Sequence, residues 1–222
     1  MSFVNFTPAM IEMLQKATLQ TLQMVGIATV LSGLGGLIIG VLLIVTKKDG
    51  ILPAPIVRAL LGPIVDLTRS VPFIILLVAI IPFTRWLVGT SIGTAAATVP
   101  LIVAALPFVA RLVEAALAEV DHGVVEAVLA MGGTPWQVIT KVYLPEALPA
   151  LWRAATTNAI ALVGYSAMAG FVGGGGLGDV AIRYGYQRFR PDVMIVTIII
   201  LVVIVQLIQF SGEALARRTD HR

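Results

Sequence analysis

The chain contains no cysteine, only two histidines and few charged residues. It therefore forms no disulfide and has no thiolate nucleophile, and His122 and His221 are too few for a histidine-based metal centre. Charged residues make up 12% of the chain, against roughly 25% in soluble domains. Hydrophobic residues make up 58% of the 222 residues, and the mean hydropathy is +0.98. This composition predicts an all-α integral membrane protein with a single membrane domain over residues 1–222.

Long stretches without charge predict five transmembrane helices. Their approximate bounds are 20–46, 59–83, 88–110, 153–173 and 193–212. The second helix carries Asp66 and Arg69 near its start. Because these residues are three apart on one helix face, we expect them to neutralise each other, with Arg69 near the membrane edge. A direct role in a transport path is the alternative.

Small residues and prolines recur inside these spans. Glycines such as Gly33, Gly36 and Gly40 predict close approach of helix backbones. Prolines predict kinked or broken helices at four positions: Pro72, Pro82, Pro100 and Pro107.

The basic residues predict an orientation rather than a nucleic-acid partner. The net charge is +3, but the 15 lysines and arginines are scattered over the loops and form no patch. With five spans, nine of them fall on the side of the C-terminus, Arg222 included, and five on the other side. The positive-inside rule then places the N-terminus outside and the C-terminus inside.

The longest loop, residues 111–152, has the local signals of two short helices. Asp121 is expected to cap a helix that runs to about Met131, where Gly132 and Gly133 end it. Thr134, Pro135 and Gln137 then form a capping-box pattern for a second helix that ends near Leu144 and Pro145. The first helix is apolar and too short to cross a membrane. It needs a partner surface, either its own membrane helices or another protein.

The spacing within this loop resembles the EAA loop of ABC importer permeases. Glu126-Ala127-Val128, three residues, Gly132, nine residues and Val142-Tyr143-Leu144-Pro145 match the family pattern, with valine in place of one alanine and one isoleucine. The resemblance implies an ABC permease fold and a helix that couples to a cytoplasmic ATPase. The residues implied at this contact are Glu126, Ala127, Val128, Met131, Gly132, Gly133, Leu144 and Pro145.

The chain has no phosphate-binding loop of its own. A Walker A loop requires a Gly-Lys pair, and none occurs in the sequence. We therefore predict a transport subunit that is not an enzyme and has no cofactor or metal, with ATP and Mg²⁺ bound by a separate subunit.

The fourth predicted span is rich in polar residues and ends in a run of glycines. Asn158, Tyr165, Ser166 and Met168 are our candidates for lining or gating a pathway, although hydrogen bonding to neighbouring helices would explain such polar groups equally. Gly173, Gly174, Gly175 and Gly176 predict a sharp turn, a hinge or a close helix contact. A dinucleotide-binding loop is excluded because no β-strand precedes the glycines.

Over about residues 10–215 the chain is similar to the methionine-uptake permeases of bacterial ABC importers, in which Glu126–Gly133 and Gly164–Gly170 have close counterparts. This resemblance implies a multi-pass protein of the bacterial cytoplasmic membrane that works as a homodimer. Two ATP-binding subunits inside and a substrate-binding lipoprotein outside, which delivers L- or D-methionine, are the implied partners.

Other functions remain open at this point. The substrate follows from the resemblance alone, so another small amino acid or organic ligand is an alternative. An ATP-independent secondary transporter would share the apolar, glycine-rich composition but would not need the exposed loop helix. A membrane scaffold would need the loop but not the polar fourth span.

Overall fold

The structure is a computed structural model that describes residues 7–220, and these residues are helical with no β-strand among them. His221 and Arg222, named above, lie outside this range. The helices in chain order are α1 (Pro8–Val45), α2 (Pro55–Ser70), α3 (Phe73–Ala79), α4 (Ile81–Val88), α5 (Thr94–Ala118), α6 (His122–Ala130), α7 (Pro135–Val138), α8 (Leu144–Glu146), α9 (Leu148–Gly170), α10 (Gly176–Val180) and α11 (Pro191–Thr219). A π-helical segment, Ile139–Tyr143, joins α7 to α8. A second one, Ala181–Tyr186, follows α10. The predicted all-α fold is confirmed.

Among residues 7–220, three helices are long and apolar enough to cross a membrane: α1, α5 and α11. The pair α2 and α3 forms a fourth candidate if its two bent halves make one span. Helix α9, the predicted fourth span, is not among these candidates, and it carries the polar set named above. The number of spans, five, therefore stays a prediction.

The second predicted span is broken rather than continuous. Helix α2 ends at Ser70, α3 begins at Phe73, and the two are bent by 102°. Proline explains the break, because Pro72 has no N–H to donate and biases the preceding Val71 toward extended backbone. Val71 has φ −81° and ψ 123°. The expectation of one helix over 59–83 was wrong in this respect, whereas the expectation of a break at Pro72 is confirmed.

The third span is displaced from its predicted bounds. Instead of covering 88–110, α5 begins at Thr94, after a loop that contains Gly89 and Gly93 at positive φ, and continues to Ala118. It includes the charged residues Arg111 and Glu114, which form ion pairs inside the protein. Pro100 and Pro107 lie within α5 without ending it.

The core lies between α1, α5, α9 and α11, and includes Met24, Leu101, Leu162 and Val193. Small residues let α1 and α5 approach closely, as predicted. A Cβ atom added to Gly36 would lie 2.5 Å from Cβ of Val109, and one added to Gly40 would lie 2.6 Å from Cβ of Val113. A second apolar cluster lies where α1 and α5 end. It also includes residues of the loop between α5 and α9, which packs against these helix ends.

Candidate coupling site and translocation helix

The loop between α5 and α9 folds as predicted, beginning with a capped helix. The Asp121 carboxylate accepts a hydrogen bond of 2.6 Å from the backbone N–H of Gly123, at the start of α6. Such a cap satisfies an N–H group that has no partner within the helix. Asp121 thereby fixes where α6 begins, and three residues separate it from the end of α5.

A tight turn connects α6 to α7. Gly132 has φ +82°, which a residue with a side chain adopts only with strain, and a Cβ on Gly133 would lie 2.6 Å from Cγ1 of Val128. Immediately after the turn, Thr134 and Gln137 form the predicted capping box. The Thr134 N–H donates to Oε1 of Gln137 at 2.8 Å, and the Gln137 N–H donates to Oγ1 of Thr134 at 3.3 Å.

One face of this helix-turn-helix is anchored to the membrane helices. Val125 of α6 and Val138 of α7 are buried with Val113 and Leu117 of α5. Tyr143 is buried in the same cluster, and burial raises the pKa of its phenol, which stays neutral at physiological pH. The loop and the end of α5 therefore form one packed unit.

The opposite face of the loop is exposed. Met131 is 79% exposed, and Val124, Leu129 and Trp136 are also exposed. Helix α6 therefore packs on its own chain through Val125, and contact of its exposed apolar residues with a partner stays a prediction. Among the predicted contact residues, Glu126, Ala127, Met131, Gly132 and Pro145 are exposed, whereas Val128, Gly133 and Leu144 are half-buried.

A cluster of charged residues lies beside this loop, and the sequence reading did not identify it. We call it the Glu114 cluster: Lys47, Arg58, Asp66, Arg111 and Glu114. Glu114 is 7% exposed. Its Oε1 accepts from Nη1 of Arg58 at 2.7 Å, and its Oε2 accepts from Nη1 of Arg111 at 2.6 Å. Nζ of Lys47 lies 3.6 Å from Oε1.

The expected ion pair between Asp66 and Arg69 was wrong. Asp66 accepts from Arg111 instead, at 3.0 Å from Nε and 2.7 Å from Nη2. Arg69 lies over the ring of Phe108, 6.0 Å from its centroid. The bidentate geometry that Arg111 offers to a carboxylate favours the cross-helix pair. A signal existed, because Arg111 and Glu114 are three residues apart and share a helix face.

The polar residues of α9 mostly bond within the chain. Asn158 is 1% exposed, and its Nδ2 donates to Oγ of Ser32 on α1 at 3.0 Å. Ser166 is also buried, and its hydroxyl donates to the carbonyl of Val163 at 2.7 Å. These two side chains are therefore buried among the helices of this chain, and their predicted role in a pathway stays a prediction.

Tyr165 and Met168 are less buried than Asn158 and Ser166. The Tyr165 ring is half-buried and stacks on Phe73 of α3, with ring centroids 4.7 Å apart. Met168 is 45% exposed and lies in the last turn of α9. These are the polar and flexible candidates on α9 that remain available to a pathway.

The glycine run forms a sharp, tightly packed turn after α9. Gly173, Gly175 and Gly176 have positive φ angles. The N–H of Gly176 donates to Oε1 of Gln20 at 3.0 Å, and that of Leu177 donates to Oγ1 of Thr21 at 2.9 Å. The predicted turn and close helix contact are confirmed, and the turn is bonded to α1. Hinge motion at Gly173–Gly176 stays a prediction.

Comparison with known proteins identifies the family. Residues 36–221 match the family described as binding-protein-dependent transport system inner membrane component. The chain belongs to this family.

Individual relatives agree with this assignment. The chain is 56% identical over 212 residues to a protein of Vibrio cholerae named probable D-methionine transport system permease protein MetI, covering 95% of this chain and 94% of the relative. It is 42% identical to the methionine import system permease protein MetP of Bacillus subtilis, covering 82% of each chain. A solved structure of the MetNI methionine ABC transporter in an inward-facing conformation has a chain with 47% identity and a TM-score of 0.96, covering 97% of this chain and 100% of that one. The chain is therefore the membrane-spanning permease subunit of an ABC importer.

Proposed function

We propose that this permease imports methionine, in its L- or D-form, across the bacterial inner membrane. The observation that carries the proposal is the similarity over nearly the whole chain to proteins named for methionine transport, at 56% identity for the Vibrio cholerae relative. The match to the methionine transporter structure, at 47% identity and a TM-score of 0.96, agrees with this proposal.

Coupling to ATP is assigned to the exposed face of α6 and the turn after it. Met131, Ala127 and Glu126 are exposed there, beside the half-buried Val128 and Gly133. Apolar exposed side chains at the centre of a docking surface contribute most to the affinity of a complex. Because Val125 and Val138 join the loop to the end of α5, a force on α6 is transmitted to the membrane helices.

The partners in this proposal are a second copy of the chain, two ATP-binding subunits inside and a substrate-binding lipoprotein outside. One chain encloses little by itself, whereas two copies related by a two-fold axis enclose a pathway between them. ATP and Mg²⁺ belong to the ATP-binding subunits, and no residue of this chain performs covalent chemistry.

The pathway is assigned to α9 near its outer end. Met168 is the proposed gate, because its side chain is flexible, apolar and partly exposed. Tyr165, fixed by its stack on Phe73, lies one turn before it. Asn158 and Ser166 are reassigned to packing within the protomer.

The proposed cycle is alternating access, with the N-terminus outside and the C-terminus inside. ATP binding closes the ATP-binding subunits, moves the two α6 helices together and opens the pathway outward. Hydrolysis and product release return it to the inward-open state. The glycine turn at Gly173–Gly176 is the proposed hinge for the outer part of this movement.

Reconstituted transport tests the proposal. The permease, the ATP-binding subunit and the lipoprotein are combined in liposomes, and uptake of labelled methionine is measured with a panel of unlabelled competitors. We expect uptake to require ATP and to be competed best by methionine. ATP-dependent uptake of another compound would overturn the substrate, and uptake without ATP would overturn the coupling mechanism.

A loop variant tests the coupling assignment in the same assay. Met131→Ala removes the most exposed of the apolar side chains on α6 and its turn, and we expect the ATP-binding subunit to bind about ten-fold more weakly, as when an interface anchor is removed. Leu52→Ala is the matched control, an exposed apolar residue in the segment between α1 and α2. Equal binding and uptake in both variants would contradict the assignment.

A further inference from the structure

The Glu114 cluster supplies several polar contacts between α2 and the rest of the chain. Gly62 and Val65 are the buried residues of α2, and Val65 packs in a small apolar cluster with Leu43 and Ala110. Other apolar residues of α2, including Ile56, Leu60 and Leu67, are exposed. Within this chain, the apolar packing of α2 is therefore limited to one side of the helix.

Charged groups make the remaining attachments of α2. Arg58 donates both to Glu114 on α5 and to the backbone carbonyl of Leu43 on α1. From α5, Arg111 donates to the Asp66 carboxylate and, through Nη2 at 3.1 Å, to the backbone carbonyl of Gly62. Glu114 is central, because it is the acid that both arginines share.

The other end of α2 is the break at Val71 and Pro72. The 102° bend separates α2 from α3, and no continuous helix crosses it. Rotation at such a break requires changes at few backbone angles. Ion pairs at Arg58 and Asp66 thus attach α2 to the rest of the chain along its length, and the break follows its last residue, Ser70.

The cluster is also close to the coupling loop along the chain. Arg111 and Glu114 lie in the last two turns of α5, which ends at Ala118, and Asp121 then caps α6. A displacement of α6 consequently reaches the residues that hold α2 in place.

We propose that Glu114 is a positioning residue that holds the cytoplasmic half of α2 against α1 and α5, and that opening its ion pairs lets α2 move about the Val71–Pro72 break. Neutralising Glu114 leaves Arg58 and Arg111 close together without their shared acid, which favours separation of the helices. The use of this movement in transport rests on the proposed function, but the attachment of α2 does not.

The absence of native cysteine allows a direct test. Val65→Cys places a thiol beneath α2, at a position that is 3% exposed, so N-ethylmaleimide reacts with it only when α2 moves away. We expect Glu114→Gln to accelerate this reaction in the purified permease on the order of ten-fold, as for a local opening made easier by the loss of a buried ion pair. Glu119→Gln is the control, an exposed acid just beyond the end of α5.

A second reporter separates movement of α2 from general loosening. Val163→Cys places a thiol in the core formed by α1, α5, α9 and α11, and Glu114→Gln should leave its reaction rate unchanged. An unchanged rate at position 65, or an equal acceleration at both positions, would overturn the proposal. If Glu114→Gln does not yield folded protein, Arg58→Gln replaces it with the same expectations. The labelling needs neither ATP-binding subunit nor substrate, so its outcome is independent of the transport assay.

In reconstituted vesicles, the ratio of methionine imported to ATP hydrolysed tests the use of the movement. We expect Glu114→Gln to lower this ratio relative to Glu119→Gln. An unchanged ratio would overturn the part of the proposal that concerns transport while the labelling result decides the attachment of α2.

Discussion

Asn158 and Glu114 are both buried polar residues in an apolar protein, but their surroundings differ. Both carboxylate oxygens of Glu114 accept hydrogen bonds from arginine. Asn158 donates to Ser32, while its Oδ1 has no partner among the described residues. Burying a polar group without a partner is costly. The unpaired Oδ1 therefore offsets part of the stability that Asn158 gains from its hydrogen bond to Ser32. Glu114 has no such cost, because both of its carboxylate oxygens are bonded.

The gate assignment at Met168 makes a prediction for a single side chain. Met168→Ala shortens a partly exposed side chain, and we expect methionine to leak through the reconstituted permease several-fold faster without ATP. Ser166→Ala is the matched control on the same helix, because its hydroxyl is buried and bonds to its own helix. Efflux from preloaded vesicles measures both variants. Equal leak in the two would remove Met168 from the pathway.

Helix boundaries were predictable where the signal is local. Asp121, Thr134 and Gln137 cap their helices because the groups they bond to are within three residues along the chain. The break at Pro72 also follows from the properties of one residue and its neighbour. The extent of α5 was not predictable in this way, because Glu114 is neutralised by Arg58, which is 56 residues away in sequence. The spacing of Arg111 and Glu114 was a local signal for the Glu114 cluster, whereas its contacts with Arg58 and Asp66 are distant in sequence.

The close contact between α1 and α5 makes a prediction about helix packing. Gly36→Ala adds a methyl group 2.5 Å from Cβ of Val109, so the helices must separate. Overpacking of this kind costs about 1–3 kcal/mol. Gly33→Ala, on the same helix, adds a methyl group with nothing within 4 Å and gains up to about 1 kcal/mol in helix propensity. Thermal unfolding of the purified variants in detergent should give a lower Tm for Gly36→Ala than for Gly33→Ala, and the reverse order would contradict the packing argument.

At the scale of the whole molecule, the two ends of the helix bundle differ in chemistry. One end contains the Glu114 cluster and the anchored loop from α6 to α8, where charge and exposed apolar surface lie side by side. The other end contains the glycine turn, bonded to α1 through Gln20 and Thr21. Helices α5 and α9 connect the two ends. A movement of the loop therefore reaches the glycine turn through packed helices, without any flexible linker between them.

The orientation and the number of spans follow from which connecting segments share a side of the membrane. If α2 and α3 cross together, three crossings separate Thr7 from Glu146 and the two residues lie on opposite sides. If the bent pair enters and leaves on one side, only α1 and α5 cross between them, and Thr7 and Glu146 lie on the same side. Single substitutions in the cysteine-free chain distinguish these cases. In spheroplasts, a membrane-impermeant maleimide should label Thr7→Cys, Ser91→Cys and Gln187→Cys from outside, and Glu146→Cys only after permeabilisation. Labelling of Glu146→Cys in intact spheroplasts together with Thr7→Cys would make the bent pair re-entrant. Protection of both Glu146→Cys and Gln187→Cys would show that α9 does not cross.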